Sequence, residues 1–474
     1  MKILQENIDY IKAAFHEMKS KEDLLELLNY SKRLIYGEKA FPFELKHLNY
    51  YCNVRVNKSR YKQFSIRKKS GAERIIHAPV KGLKSIQKCL NLILQTIYEP
   101  HKSATGFVPD KSIVDNAKIH VGNIFVYNID LKDFFPSIDQ ARVWGRLQIP
   151  PFNLNKDNNR LELANMLAAL SCHEMEVERK NNSGEWEKSV RNVLPQGAPT
   201  SPTITNIICE RLDIRLSGVA TRFGLKYSRY ADDITFSSMH NVYQPESEFI
   251  KELHRIITDQ GFHIKESKTR LQKDGYRKEV TGLLVNEKVN VQQRYIKQLR
   301  MWLYYWERYG YERASGIFVQ QYVADKGHVK NGKPDMANVI SGKLDYLKMV
   351  KGADNELYVK LKSRFDFLIG YKDPINQILN AWETEGIDQA MRIYYKDKLE
   401  QMAKSKYDFI KELLEDKRIK QNQRERILEL ASKQISLEGT LEERVQKIEE
   451  IIFKKEDELI FTEESVFSRN IEKL

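Results

Sequence analysis

Residues 229–238 read RYADDITFSS. Alternating apolar runs over 225–230 and 234–238 flank Ala231, Asp232 and Asp233, and predict a β-hairpin whose tight turn carries two acids. Taken alone, such a pair is most often a solvated hairpin tip. Here Tyr230 and Ala231 before it and Ile234 after it are apolar, which a purely solvated tip does not need. Well upstream, residues 124–130 (IFVYNID) read as a short apolar strand that also ends in an acid, Asp130. Asp130 by itself reads as well as a helix N-cap. If the two strands are neighbours in one sheet, three carboxylates converge. That is the donor set hard divalent cations such as Mg²⁺ take, and a two-metal site holds its ions about 3.5–4 Å apart.

Outward from these strands, helix and strand patterns interleave, which predicts an α+β body. Residues 1–50 have helical periodicity. Residues 51–80 become strand-like, with a hairpin turn at Ser70-Gly71, and 80–98 form an amphipathic helix. A helix over 161–171 is followed by two polar strands around the turn at 181–184, and Pro202 opens a helix to about 219. A further helix near 246–260, strands through 282–289 and a helix from about 291 complete the body.

The chain has 474 residues, enough for two or three structural units. With 41% hydrophobic and 10% aromatic residues it is not a mainly disordered protein. Its 78 Lys and Arg against 65 Asp and Glu leave a formal +13, the sign that suits a polyanionic partner. From Tyr371 onward 19 basic residues face 23 acidic ones, so the first 370 residues carry +17 and the tail −4. The tail holds only Gly386 and Gly439 of the 22 glycines and one proline, Pro374, and reads as helices. No apolar run is long enough to span a membrane, and the early acids exclude a signal peptide, so a soluble cytoplasmic protein is expected. Cys52, Cys89, Cys172 and Cys209 form no C-x-x-C pair, so core thiols are expected, with Cys172–His173 at the end of a buried helix.

Seven blocks now stand in order across roughly residues 60–300: SGAERIIHAPVKGLKSIQ, HKSATGFVPDKSIVDNAKIHVG, NIDLKDFFPSI, LPQGAPTSPTITN, RYADDITFSS, GFHIKESKTR and EVTGLLVN. Together they resemble the blocks of reverse transcriptases. Asn116-Ala117 with His120, and Val280-Thr281-Gly282, are similar to the N-A-x-x-H and V-T-G elements of the retron or defence-associated bacterial type. The resemblance implies a right-hand polymerase. Its parts would be a helical N-terminal segment (1–50), fingers (51–123), palm with fingers insertions (124–290), thumb (291–371) and an α-helical C-terminal extension (372–474). It implies an RNA-directed DNA polymerase that copies a dedicated structured non-coding RNA into cDNA in antiphage defence. A group II intron-like enzyme, a relative making repetitive or untemplated DNA, and a non-catalytic RNA-binding scaffold are the alternatives.

Carried over position by position, Asp130, Asp232 and Asp233 would hold two Mg²⁺ ions, with the Leu131 backbone beside them. One ion would activate a primer hydroxyl, and both would steady the transferring phosphoryl group. Arg74 would pair with the triphosphate, with Arg67 and Lys68 as weaker candidates, and the backbone from Leu131 through Asp133 to Phe134 would approach the dNTP. Phe135 would be the ring that excludes a ribose 2′-OH, with core packing as its bland role and Phe134 as the competing candidate. Gln196 and Gly197 would lie against the nascent pair, Gly197 letting backbone approach the substrate, and Lys268 would protonate the leaving pyrophosphate. Asn116 and His120 are candidates for nucleic-acid contact, with a structural role as the competing assignment. Arg294, Lys297 and Arg300 would grip the duplex, with Trp302 and Leu303 turned inward. In the tail, Thr440 to Glu443 reads as a capping box. Leu441, Val445, Ile448 and Ile452 form a seam for a small bundle, a homo-oligomer or an effector protein.

Overall fold

A computed structural model of the chain describes residues 3–53, 58–67, 73–155, 157–181, 183–326, 334–372, 374–395, 405–416, 419, 421–434, 440, 443, 446 and 447. The chain divides into two compact units, one built on Met1–Tyr295 and the other on the chain from Ile296 onward, with two short returns to the first.

In the first unit, α1 (Gln5–Glu17), α2 (Lys21–Tyr36) and α3 (Leu45–Cys52) come first. Ser20 caps α2 reciprocally: its hydroxyl accepts the Asp23 N–H, and the Asp23 carboxylate accepts the Ser20 N–H. The hairpin β1 (Tyr61–Arg67) and β2 (Glu73–Pro79) pairs Tyr61 with Pro79 through Arg67 with Glu73. Lys68 and the expected turn at Ser70-Gly71 lie outside the described residues. Helix α4 (Lys81–Ile97) turns Leu83, Ile86, Leu90 and Ile93 into one core with Ile11, Phe15, Leu24 and Leu28 of α1 and α2. The N-terminal segment is therefore part of this unit's core, which its sequence alone does not reveal.

Next come α5 (Ile113–Lys118), β3 (Phe125–Asp130), α6 (Gln140–Leu147), α7 (Asn158–Ser171), and the hairpin β4 (His173–Lys180) and β5 (Trp186–Val193). Cys172 caps α7, as the sequence predicts, but His173 already begins β4. After them follow α8 (Ser201–Arg222), β6 (Lys226–Tyr230), β7 (Asp233–Ser238), α9 (Glu248–Asp259) and β8 (Arg270–Lys273). Strands β6, β7, β3 and β8 form one antiparallel sheet in that order. Leu212 and Leu216 of α8 and Phe249 and Leu253 of α9 share a core with Ile129, Ile234 and Phe236 of the sheet. That burial fixes the register, because a one-residue slip would turn Ile129 and Ile234 out of the core.

The strands expected through 282–289 are shorter than the sequence suggests. Only β9 (Glu279–Val280) and β10 (Leu283–Leu284) pair, around the turn at Thr281-Gly282, and beyond them Leu284 makes one bridge to Asn290. Thr281 and Gly282 both have positive φ, 49° and 81°, so the chain reverses before a longer ladder can form.

The second unit is helical among the described residues. Helix α10 (Gln293–Lys326) breaks at Gly310, whose φ of 76° interrupts it. Then come α11 (Met336–Lys351) and α12 (Glu356–Lys372). Trp302 packs edge-on against Phe318, and Trp306 meets Tyr311 and Phe365. Trp302 and Leu303 are buried while Arg294, Lys297 and Arg300 are exposed, the division read from the sequence. Helices α13 (Pro374–Glu385), α14 (Ile387–Tyr394), α15 (Lys406–Glu415) and α16 (Gln421–Gln434) enclose a separate core around Trp382, Phe409, Leu413 and Leu428. The capping box at Thr440 is present in both directions with Glu443. The seam at Leu441, Val445, Ile448 and Ile452 lies outside the described residues. No helix among the described residues is long and apolar enough to cross a membrane.

Candidate active site

The sheet register sets Asp130, the last residue of β3, opposite Asp233, the first of β7. Tyr230 pairs with Asp233 across β6 and β7, leaving Ala231 and Asp232 as a two-residue loop. Ala231 sits at φ 57°, the left-handed region that primed hairpin turns require and that costs an L-residue about 1–2 kcal/mol. Neighbouring backbone holds the loop. The Leu131 N–H donates to the Asp232 carbonyl (3.1 Å), and the Lys265 N–H to the Asp130 carbonyl (2.8 Å).

The three acids feel one another. Burial first, then the Asp130 charge, raises Asp232, while Lys268 and Arg74 oppose the shift. Burial, then Asp232 and Asp130, pushes Asp233 up to about 6, against Lys268 and Arg270. The Lys268 ammonium pairs with the Asp130 carboxylate at 2.5 Å. Asp130 is buried, Asp233 reaches solvent, and both line a cleft of about 580 Å³ with Tyr230, Lys268, Arg270 and Thr281. Among the described residues no three His, Cys, Asp or Glu side chains close into a metal cage. Yet the donor chemistry fits a hard divalent cation: these are carboxylate oxygens whose charges are unfavourable together, and a cation relieves that repulsion.

Arg74 lies exposed on β2, close enough to lower Asp232. Phe135 is half-buried, its ring 5.6 Å from Phe134 and 6.1 Å from Phe107. Phe134 is only 4% exposed and packs against Phe262, so its side chain is core and only its backbone is left to meet a nucleotide. Asp133 is exposed, with φ 45°. The Gln196 carbonyl accepts the His77 N–H (2.9 Å). Gly197 makes a close approach to this same strand: a Cβ there would lie 2.7 Å from the His77 carbonyl oxygen, so β2 by itself requires glycine at this position.

The expectation of nucleic-acid contact at Asn116 and His120 is corrected. His120 is fully buried, with its ring nitrogens 2.7 Å from the hydroxyls of Ser237 and Ser228, and burial lowers it to about 3. It is a neutral brace between β6 and β7. Asn116 accepts from the Thr105 hydroxyl (2.8 Å) and donates to the Thr281 hydroxyl (3.5 Å), so the N-A-x-x-H and V-T-G elements meet in the fold.

Sequence reasoning missed two features. Gly106 lies against the acidic turn, where a Cβ would come 2.4 Å from the Ala231 nitrogen, and a glycine inside TGFVPDKS carries no periodic signal for that. Gly106→Ala therefore pushes on the turn, and the affinity of the three acids for a divalent cation falls about tenfold or more while cooperative melting is retained; a Mn²⁺ titration beside a melting curve checks this. The other is Arg229, wholly buried with Asp213: Nε reaches one carboxylate oxygen (2.8 Å) and Nη2 the other (2.7 Å). Only the fold could reveal its partner.

A family model described as reverse transcriptase (RNA-dependent DNA polymerase) matches residues 66–297. The chain is 36% identical over 245 residues to the retron Mx162 reverse transcriptase of Myxococcus xanthus, covering 48% of this chain and 47% of that one. It is 36% identical over 251 residues to the retron Mx65 reverse transcriptase of the same organism, covering 52% and 55%. Against the retron Ec86 reverse transcriptase of Escherichia coli it is 34% identical over 249 residues, covering 51% and 68%. The chain thus spans about half the length of the first two relatives.

Proposed function

The chain belongs to the bacterial retron-type reverse transcriptases, and from that premise we propose that it is an RNA-directed DNA polymerase. Its template would be a dedicated structured non-coding RNA, its product a cDNA made from dNTPs, and its setting antiphage defence. The observation that carries the reading is the register that sets Asp130 opposite Asp233 beside the Asp232 turn, with Lys268 on the same acids. Asp130, Asp232 and Asp233 would hold two Mg²⁺ ions, which when bound activate the primer hydroxyl and offset charge on the transferring phosphoryl group.

The protein's own groups supply the rest. Arg74, exposed on β2, offers a guanidinium fork to the triphosphate. The backbone from Leu131 to Phe134 lines the nucleotide, and Gln196, fastened to β2, lies against the nascent pair. Arg294, Lys297 and Arg300, all exposed, meet duplex phosphates, and the C-terminal helices offer a surface to a second copy or an effector protein. Phe135, backed by Phe107, excludes the ribose 2′-OH. Phe135→Ala should lower the preference for dNTP over rNTP about tenfold, read as the ratio of the two kcat/KM values.

The direct test incubates purified protein and its co-purifying RNA with Mg²⁺ and labelled dNTPs. RNA-dependent incorporation whose product copies part of that RNA supports the reading. Absence of incorporation, or DNA made without reference to the RNA, overturns it.

A further inference from the structure

The guanidinium of Arg229 makes contacts that an ion pair with Asp213 does not need. Nη1 donates to the Ala231 carbonyl (3.2 Å), and Nη2 also reaches the Asn206 amide oxygen (3.0 Å). Asp213 is 1% exposed and accepts the Tyr227 hydroxyl as well (2.7 Å). The Arg229 backbone is fastened too: its N–H donates to the Ser103 carbonyl, and its carbonyl accepts the Thr105 N–H, both at 2.9 Å. Asn206, in turn, donates its amide to the Gly106 carbonyl (3.0 Å), and Gly106 lies so near the turn that a Cβ on it would come 2.4 Å from the Ala231 nitrogen.

We infer that Arg229, held in place by Asp213, is a positioning residue that fixes the Ala231–Asp232 peptide and thereby aims the Asp232 carboxylate. Ala231 is the one loop residue in the left-handed region, so its peptide has the most to gain by relaxing. Arg229 holds the carbonyl before Asp232, and the Leu131 N–H holds the carbonyl of Asp232 itself. With both flanking peptides fixed, the acid keeps little backbone freedom. A fork with several donors in one plane can bridge a carboxylate and a carbonyl together, and a lysine ammonium on its flexible stem cannot span both in fixed geometry. The inference rests on the polymerase reading only in assigning Asp232 to a metal.

Two variants test it. Arg229→Lys keeps the charge for Asp213 but gives up the fork, while Arg229→Met combined with Asp213→Leu removes both buried charges and leaves an apolar pair. Mn²⁺ binding to protein free of nucleic acid, followed by electron paramagnetic resonance, is measured beside the Mg²⁺ needed for half-maximal DNA synthesis, the KM for dNTP and the melting curve. Folded variants should bind Mn²⁺ about tenfold or more weakly and need correspondingly more Mg²⁺, with KM for dNTP little changed. A folded variant with wild-type Mn²⁺ affinity and Mg²⁺ requirement overturns the inference. So does unfolding of both variants, which would assign the network to the fold alone. Wild-type protein that binds Mn²⁺ but makes no DNA would overturn the polymerase reading instead, and the Mn²⁺ comparison would still decide the role of Arg229.

Discussion

Asp232→Asn should reduce DNA synthesis by about 10³-fold or more, since on the proposed reading Asp232 holds a cation that offsets transition-state charge, and losing that ligand removes several kcal/mol. The accompanying change in stability separates this from simple damage. In metal-free protein Asp232 and Asp233 are both raised, Asp233 to about 6, by burial first and then by the other acids. An acid raised above its unfolded value of about 3.9 contributes stability that is fully present below that pH and is lost as pH climbs through the folded value. The metal-free wild type therefore loses this contribution between about pH 4 and pH 6. Asp233→Asn, which has no charge to repel, should melt above the wild type at pH 7, and the gap should close toward pH 4. Solvent around Asp233 limits the size of that gap. Added Mg²⁺ should stabilise the wild type more than either Asn variant. Melting curves across pH, with and without Mg²⁺, carry all of this. A variant that is inactive because it is misfolded would melt lower at every pH.

The second large effect belongs to Lys268. Its ammonium is 2.5 Å from an Asp130 oxygen, so in this arrangement it balances the acid it would later work beside. Lys268→Met removes both the balancing charge and the proposed proton donor, and the rate of the chemical step should fall about 10²-fold. Lys268→Arg separates the two roles, because a guanidinium keeps the ion pair but gives up a proton far less readily. If proton donation is the contribution, Arg is about as slow as Met in single-turnover nucleotide addition. Recovery of the rate with Arg would assign Lys268 to charge balance alone.

The sequence was most legible where one short stretch carries both the element and its chemistry. The alternating runs around Ala231, Asp232 and Asp233 locate the β6–β7 hairpin, although Asp233 opens β7 and leaves only one acid in the turn, and the acid closing IFVYNID locates the end of β3. Chain-local signals also placed α4, the β4–β5 hairpin and the inward turn of Trp302. What depends on a distant partner stayed hidden. Nothing around Asp213 says that it will meet Arg229, and nothing around His120 says that Ser228 and Ser237 will enclose it. The V-T-G block looked like a longer strand pair because apolar residues continue past the turn; in the fold Val285 and Val291 are buried without extending the ladder. Gly197 makes a close approach, as its residue type suggests, and the fold adds that β2 is one partner in it, since the residue type reports how near the backbone comes and not what it comes near.

The distance along the chain between Asp130 and Lys268, 138 residues, has a consequence for how the protein is made. At about 5–20 residues per second a ribosome needs roughly 7–28 s to travel from one to the other. After its own synthesis β3 waits first for β7 and then for β8, its antiparallel neighbours on the two sides. The nascent chain thus carries the first acid for many seconds before the residues that complete the cleft exist, and a product cut short before Lys268 keeps all three acids and lacks the lysine. The cleft is complete only once Thr281 and Gly282, the last of its lining residues, have followed Lys268 and β8 off the ribosome.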